Sequence, residues 1–169
     1  MHYSCSFLHL CALNENINLL NHLIKKKINI NLRTEEGHHA LMLILINNDN
    51  ISSNEIIKIL LENGADFNLQ DIHGFTTLMV SLLNNTNKSA IEIIKFLLEN
   101  GADPDLQNNN NETVFMLASK HSNNISSIET VKLLLENGVD VNLKNKDGKT
   151  AYDLAPTDEC KALIKLYMN

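Results

Sequence analysis

Ile91, Ile94, Leu97 and Leu98 recur at three- and four-residue spacing, the pattern of a helix that buries one face. Gly101 stands just past the last apolar residue, where a helix C-cap favours a left-handed residue, and Pro104 keeps the helix from resuming. Upstream, Asn84-Asn85-Thr86-Asn87-Lys88 reads as a polar loop, and Thr77 to Leu83 as a shorter apolar helix. Gly74 ahead of it marks a turn with a left-handed position. One stretch of chain thus predicts turn, short helix, loop, second helix and glycine stop.

The same order returns along the chain. Leu60-Leu61-Glu62-Asn63-Gly64-Ala65-Asp66 recurs at Leu97 to Asp103 and, with Val139 for alanine, at Leu134 to Asp140, each a step of 37 residues. Gly37, Gly74, Asn111 and Gly148 keep that spacing, as do His39, Thr76, Thr113 and Thr150, and Leu41, Leu78, Phe115 and Tyr152. Asn111 is the non-glycine residue that best tolerates the left-handed turn. Ser52-x-x-Glu55, Ser89-x-x-Glu92 and Ser126-x-x-Glu129 form three capping boxes, each expected to open a second helix. A unit this short cannot close its own core, so copies must stack. One array of five units is expected: 1–33, 34–70, 71–107, 108–144 and 145–169.

Ser6-Phe7-Leu8-His9-Leu10-Cys11 is similar to the T-P-L-H-x-A motif of the ankyrin repeat, and with the Gly-Ala-Asp phrase and the helix-loop-helix order it makes the chain resemble that family. Later copies lack the motif proline, and its histidine becomes Met42, Met79, Met116 or Asp153. The resemblance implies an all-α solenoid of helix-loop-helix units joined by β-turn or hairpin loops. The usual ankyrin period is about 33 residues. Leu8 to Lys27 spans 19 residues, whereas Leu41 to Gly64, Leu78 to Gly101 and Phe115 to Gly138 each span 23, so units two to four carry four extra residues, expected as polar loop. This long-loop form resembles ankyrin arrays of giant DNA viruses of amoebae. Lys27 occupies the place of Gly64, Gly101 and Gly138 and is expected to be left-handed.

Composition narrows the class. The 169 residues carry a net charge of −6, which argues against nucleic acid as the general partner. No apolar run approaches the ~18 residues of a membrane span, and Met1 to Leu13 lacks the basic start of a secretion signal. Cys5, Cys11 and Cys160 are an odd, scattered set that suits reduced thiols. The expectation is a cytoplasmic protein, in the host cytoplasm if viral, with no appended recruiting domain such as an F-box.

Candidate chemistry is sparse. His2-x-x-Cys5-x-x-x-His9-x-Cys11 has a spacing that can hold zinc, yet His9 and Cys11 already fall on packing positions of the repeat motif. His38-His39 lies in a turn, and no nucleophile elbow, phosphate loop or dinucleotide fingerprint is present. The expectation is therefore a non-enzyme with no catalytic, cofactor or metal residue.

What remains is surface. The family resemblance implies that turn tips and the inner face of the first helices bind partner proteins. Carried over by position, this face comprises Arg33, Glu35, Glu36, His38, Ile46 and Asn47, then Gln70, Ile72, His73, Phe75, Leu83 and Asn84. It continues with Gln107, Asn109, Asn110, Glu112, Lys120 and His121, and ends on Lys144, Lys146, Asp147 and Lys149. It runs acidic, apolar, polar, basic. Phe75 and Ile72 are expected as exposed anchors at its centre, with Leu83 adjoining, and the extra loops, 47–51, 84–88 and 121–125, as a weaker second contact surface. The functional reading is a monomeric protein-binding module, with a self-assembling solenoid as the alternative and a zinc enzyme third.

Overall fold

The computed structural model describes residues 7–47, 54–84, 88–122 and 125–168. These form α1 (Phe7–Leu13), α2 (Ile17–Lys25), α3 (Ala40–Asn47), α4 (Asn54–Glu62), α5 (Thr77–Asn84), α6 (Lys88–Glu99), α7 (Val114–Lys120), α8 (Ile125–Glu136), α9 (Ala151–Leu154) and α10 (Asp158–Lys165), with no strand among the described residues. The odd-numbered helices stack in chain order, α1 on α3, α3 on α5, α5 on α7 and α7 on α9, while α8 packs between α6 and α10. The architecture is the expected all-α solenoid.

The two helix types differ because their surroundings differ. Leu41, Met42, Leu43, Ile44 and Leu45 of α3 are all buried, since a first helix has a stacked neighbour on each side. A second helix needs one apolar face: Ile56, Ile57 and Leu60 of α4 are buried while Glu55, Lys58 and Glu62 are exposed. In α6 the expected stripe is present, with Ile94 and Leu97 buried and Ile91 and Leu98 half-buried.

Helix ends follow the residues that cap them. Thr76, Thr113 and Thr150 each accept the backbone N–H three residues on, at 3.3, 3.2 and 3.4 Å. Thr150 forms a reciprocal box with Asp153. The serine boxes are placed differently from expectation: α6 begins at Lys88 and α8 at Ile125, so Ser89 and Ser126 stand inside the first turn rather than before it. Ser52 lies outside the described residues. At the other ends Gly64 (φ 85°) and Gly101 (φ 92°) close α4 and α6, with Ala65 donating to Leu60 and Ala102 to Leu97. Lys27 does the same for α2 at φ 57°, as its position predicts, with Ile28 donating to Leu23.

The extra residues are not all loop. Lys88 and Ile125, expected in the connections, instead lie in helix, and α6 and α8 run to 12 residues where α2, in the unit without the insertion, has 9. Part of the insertion therefore extends the second helix. Most of the proposed loop contact surface, including 48–51, 85–87 and 123–124, lies outside the described residues.

Candidate protein-interaction surface

Each turn between units is tied by one side chain at its first position. Asp71 Oδ1 accepts the N–H groups of His73 and Phe75, both at 2.8 Å. Asn108 Oδ1 accepts from Asn110 and Glu112 at 2.8 and 2.9 Å, and Asn145 Oδ1 from Asp147 and Lys149 at 3.0 and 2.9 Å. In the first turn Thr34 Oγ1 accepts His38 N–H, at 3.1 Å. A backbone bond closes each loop, as from Asp71 N to Phe75 O at 3.0 Å.

The tips are also bonded to one another. Ile72 donates to Glu36 O at 3.1 Å, Asn109 to His73 O at 2.9 Å, and Lys146 to Asn110 O at 3.0 Å. Gln70 Nε2 bridges Gly74 O and Gln107 O, and Gln107 Nε2 bridges Asn111 O and Lys144 O. A second row runs beneath: Asp66 N–H donates to Asn31 Oδ1, Asp103 N–H to Asn68 Oδ1 and Asp140 N–H to Asp105 Oδ1, all at 2.9 Å. Burial, opposed by the Asp140 N–H bond and aided by repulsion from Asp103 and Asp140, pushes the Asp105 carboxyl up. These rungs lock the turns into one edge. Sequence reasoning passed over their makers, although Asp71, Asn108 and Asn145 recur at 37 residues, as do Asn31, Asn68 and Asp105.

Close approach fixes one residue type along this edge. A Cβ on Gly74 would stand 2.6 Å from Asn109 N, in addition to the positive φ of 80°. Only glycine lets the second and third turns meet.

The surface residues then sort themselves. Glu35, Glu36, Ile72, His73, Asn109, Asn110, Lys146 and Lys149 are exposed along the tips, and Ile46, Leu83, Lys120 and His121 at the ends of the first helices. Ile72 is the most open apolar group among the tips, 56% exposed. Phe75 is not the exposed aromatic expected there: it is half-buried and packs against the core, because Asp71 folds its backbone down into the turn. His38 is half-buried too, its ring nitrogens 3.6 Å from Glu36 and Asp71 carboxylate oxygens. Glu112 is turned inward, accepting from Asn108 Nδ2 at 3.3 Å and pairing with Lys120 at 3.9 Å. Gln70 and Gln107 are occupied as rungs.

The histidines of the motif positions pack inside. His9 Nε2 meets Leu32 O at 3.0 Å, and burial, opposed by that bond, lowers its basicity. His39, in the threonine position, meets Thr77 Oγ1 at 3.2 Å. Its pKa is held down to about 4, chiefly by burial and secondarily by Arg33. In the zinc-type constellation, His2 and Cys5 lie outside the described residues and Cys11 is buried. Among the described residues no group of three or more His, Cys, Asp or Glu side chains is placed to hold a metal, and no helix is long and apolar enough to cross a membrane.

A family model described as ankyrin repeats (3 copies) matches residues 8–108 and 85–167. The chain belongs to the ankyrin-repeat family. Comparison with curated proteins gives no match. Ankyrin repeats are in general modules of protein–protein interaction and typically noncatalytic. The bonded tip edge is one exposed surface of this ankyrin array.

Proposed function

We propose that this ankyrin array recognises a partner protein along its tip edge, with Ile72 as the central apolar anchor. The observation that carries the reading is the row of tip-to-tip hydrogen bonds from Glu36 to Lys146, because a pre-ordered edge loses little conformational freedom on binding. Around Ile72 the exposed groups are graded: Glu35 and Glu36 toward the N-terminal side, Asn109 and Asn110 next, and Lys146 and Lys149 at the far side. A partner of matching chemistry carries basic groups, then an apolar pocket, then acidic groups. Complementary ends steer encounter and fix direction, while burial at the centre supplies affinity. Ile46 and Leu83 extend the apolar contact onto the first helices. The long-loop resemblance to viral arrays makes a host protein the partner class of choice and the host cytoplasm its setting.

The test is quantitative capture from a host lysate with three immobilised forms: wild type, Ile72→Asp, and Lys95→Glu on α6. A protein held by wild type and Lys95→Glu but lost with Ile72→Asp supports the reading. Captured proteins that are indifferent to Ile72→Asp would refute it.

A further inference from the structure

The two ends of the array are unlike. At the N-terminal end Phe7 is 72% exposed, Leu10 44% and Leu19 38%. Their register counterparts are Ala40, Thr77 and Val114 for Phe7, Leu43, Val80 and Leu117 for Leu10, and Ile56, Ile93 and Thr130 for Leu19, none more than 9% exposed. Leu10 stays open although α1 already packs on α3, so these positions face away from the following unit. Each later unit uses them to receive the unit before it. The first unit therefore presents a preformed interface whose geometry is repeated inside the chain.

At the C-terminal end the corresponding face is closed by charge. Asp153 is exposed at the register position where His9, Met42, Met79 and Met116 are buried, and its carboxylate is committed to capping α9. A second copy stacked head to tail would bury that carboxylate against Phe7 and Leu10, at the cost of desolvating an unpaired charge. Growth into a filament is thereby opposed.

We propose that the N-terminal face of Phe7, Leu10 and Leu19 pairs with the same face of a second copy of this chain, forming a closed two-fold dimer. In a two-fold contact residue i meets j and j meets i on one shared patch, so an apolar face poor in charge is complementary to itself. Residues 7–24 carry a single charged carboxylate or ammonium group, Glu15, whereas the equivalent residues 151–168 carry five, Asp153, Asp158, Glu159, Lys161 and Lys165. The N-terminal face meets that condition and the C-terminal face does not. The tip edge lies outside this contact, so the dimer stands or falls independently of partner recognition.

Light scattering of the full chain over a range of micromolar concentrations tests this. The expected mass rises to twice the 19.0 kDa of the chain and stops there. Leu10→Glu and, independently, Leu19→Glu should raise the dimer dissociation constant at least tenfold while melting as cooperatively as wild type, and Leu166→Glu at the opposite end should leave the dimer intact. A mass that stays at 19.0 kDa, a mass that grows past twofold, or loss of the dimer with Leu166→Glu would each overturn the proposal.

Discussion

Lys27 holds a left-handed backbone at φ 57° in the place where later units put glycine. A side chain there costs roughly 1 kcal/mol relative to glycine. Lys27→Gly should therefore raise the melting temperature, by an amount calorimetry can read as about 1 kcal/mol; a lower melting temperature would contradict the strain. Gly74 is the opposite case. Gly74→Ala meets both the positive φ and a backbone nitrogen at 2.6 Å, whereas a Cβ on Gly148 meets nothing within 4 Å. Chemical denaturation should show Gly74→Ala costing more than 2 kcal/mol and Gly148→Ala about 1 kcal/mol. His39 gives the fold a pH response. Its imidazole is neutral when folded, with a pKa near 4, and takes up a proton near 6.5 when unfolded. The unfolded state binds the extra proton, so stability is constant above 6.5 and falls as pH drops from 6.5 toward 4, by up to the order of 3 kcal/mol. His39→Thr, which installs the residue of the later units, should flatten this limb in melts across that range.

At the scale of the element, apolar spacing and glycine stops located the helices closely: Thr77 to Leu83 was expected and α5 is Thr77–Asn84. The serine boxes misled because a Ser-x-x-Glu pattern is equally compatible with the first turn of a helix that starts earlier, as α6 and α8 do. The turn ties were missed because an Asp or Asn near a glycine reads first as surface. They are structural: Asn108 is buried and its side chain joins three partners, Asn110 and Glu112 N–H and the Glu112 carboxylate. Asn108→Ala should cost about 2 kcal/mol, since it leaves two part-buried N–H groups without their acceptor. Asn108→Asp keeps the Oδ1 that accepts both N–H groups, as Asp71 does, and gives up only the Nδ2 bond to the Glu112 carboxylate, so it should cost clearly less in the same denaturation series; equal losses would show that this acceptor does not hold the turn.

For the whole molecule, the stacking of units was legible because the period is written in the sequence, but the division of the tip residues was not. Exposure depends on how each turn is tied. Phe75 turned inward while Ile72, three residues earlier, stayed out, and the half-buried Gln70 and Gln107 are tied up bridging successive turns. No pattern along the chain separates these neighbours; only the bonded geometry does. Recognition along the tip edge is the claim on which the function rests, and titration calorimetry of wild type and Ile72→Ala against the captured partner tests it most directly. The backbone N–H of Ile72 that donates to Glu36 survives this change, so stability should stay within about 0.5 kcal/mol while binding weakens by about 2 kcal/mol or more. An unchanged affinity, with the fold equally stable, would place recognition elsewhere on the array.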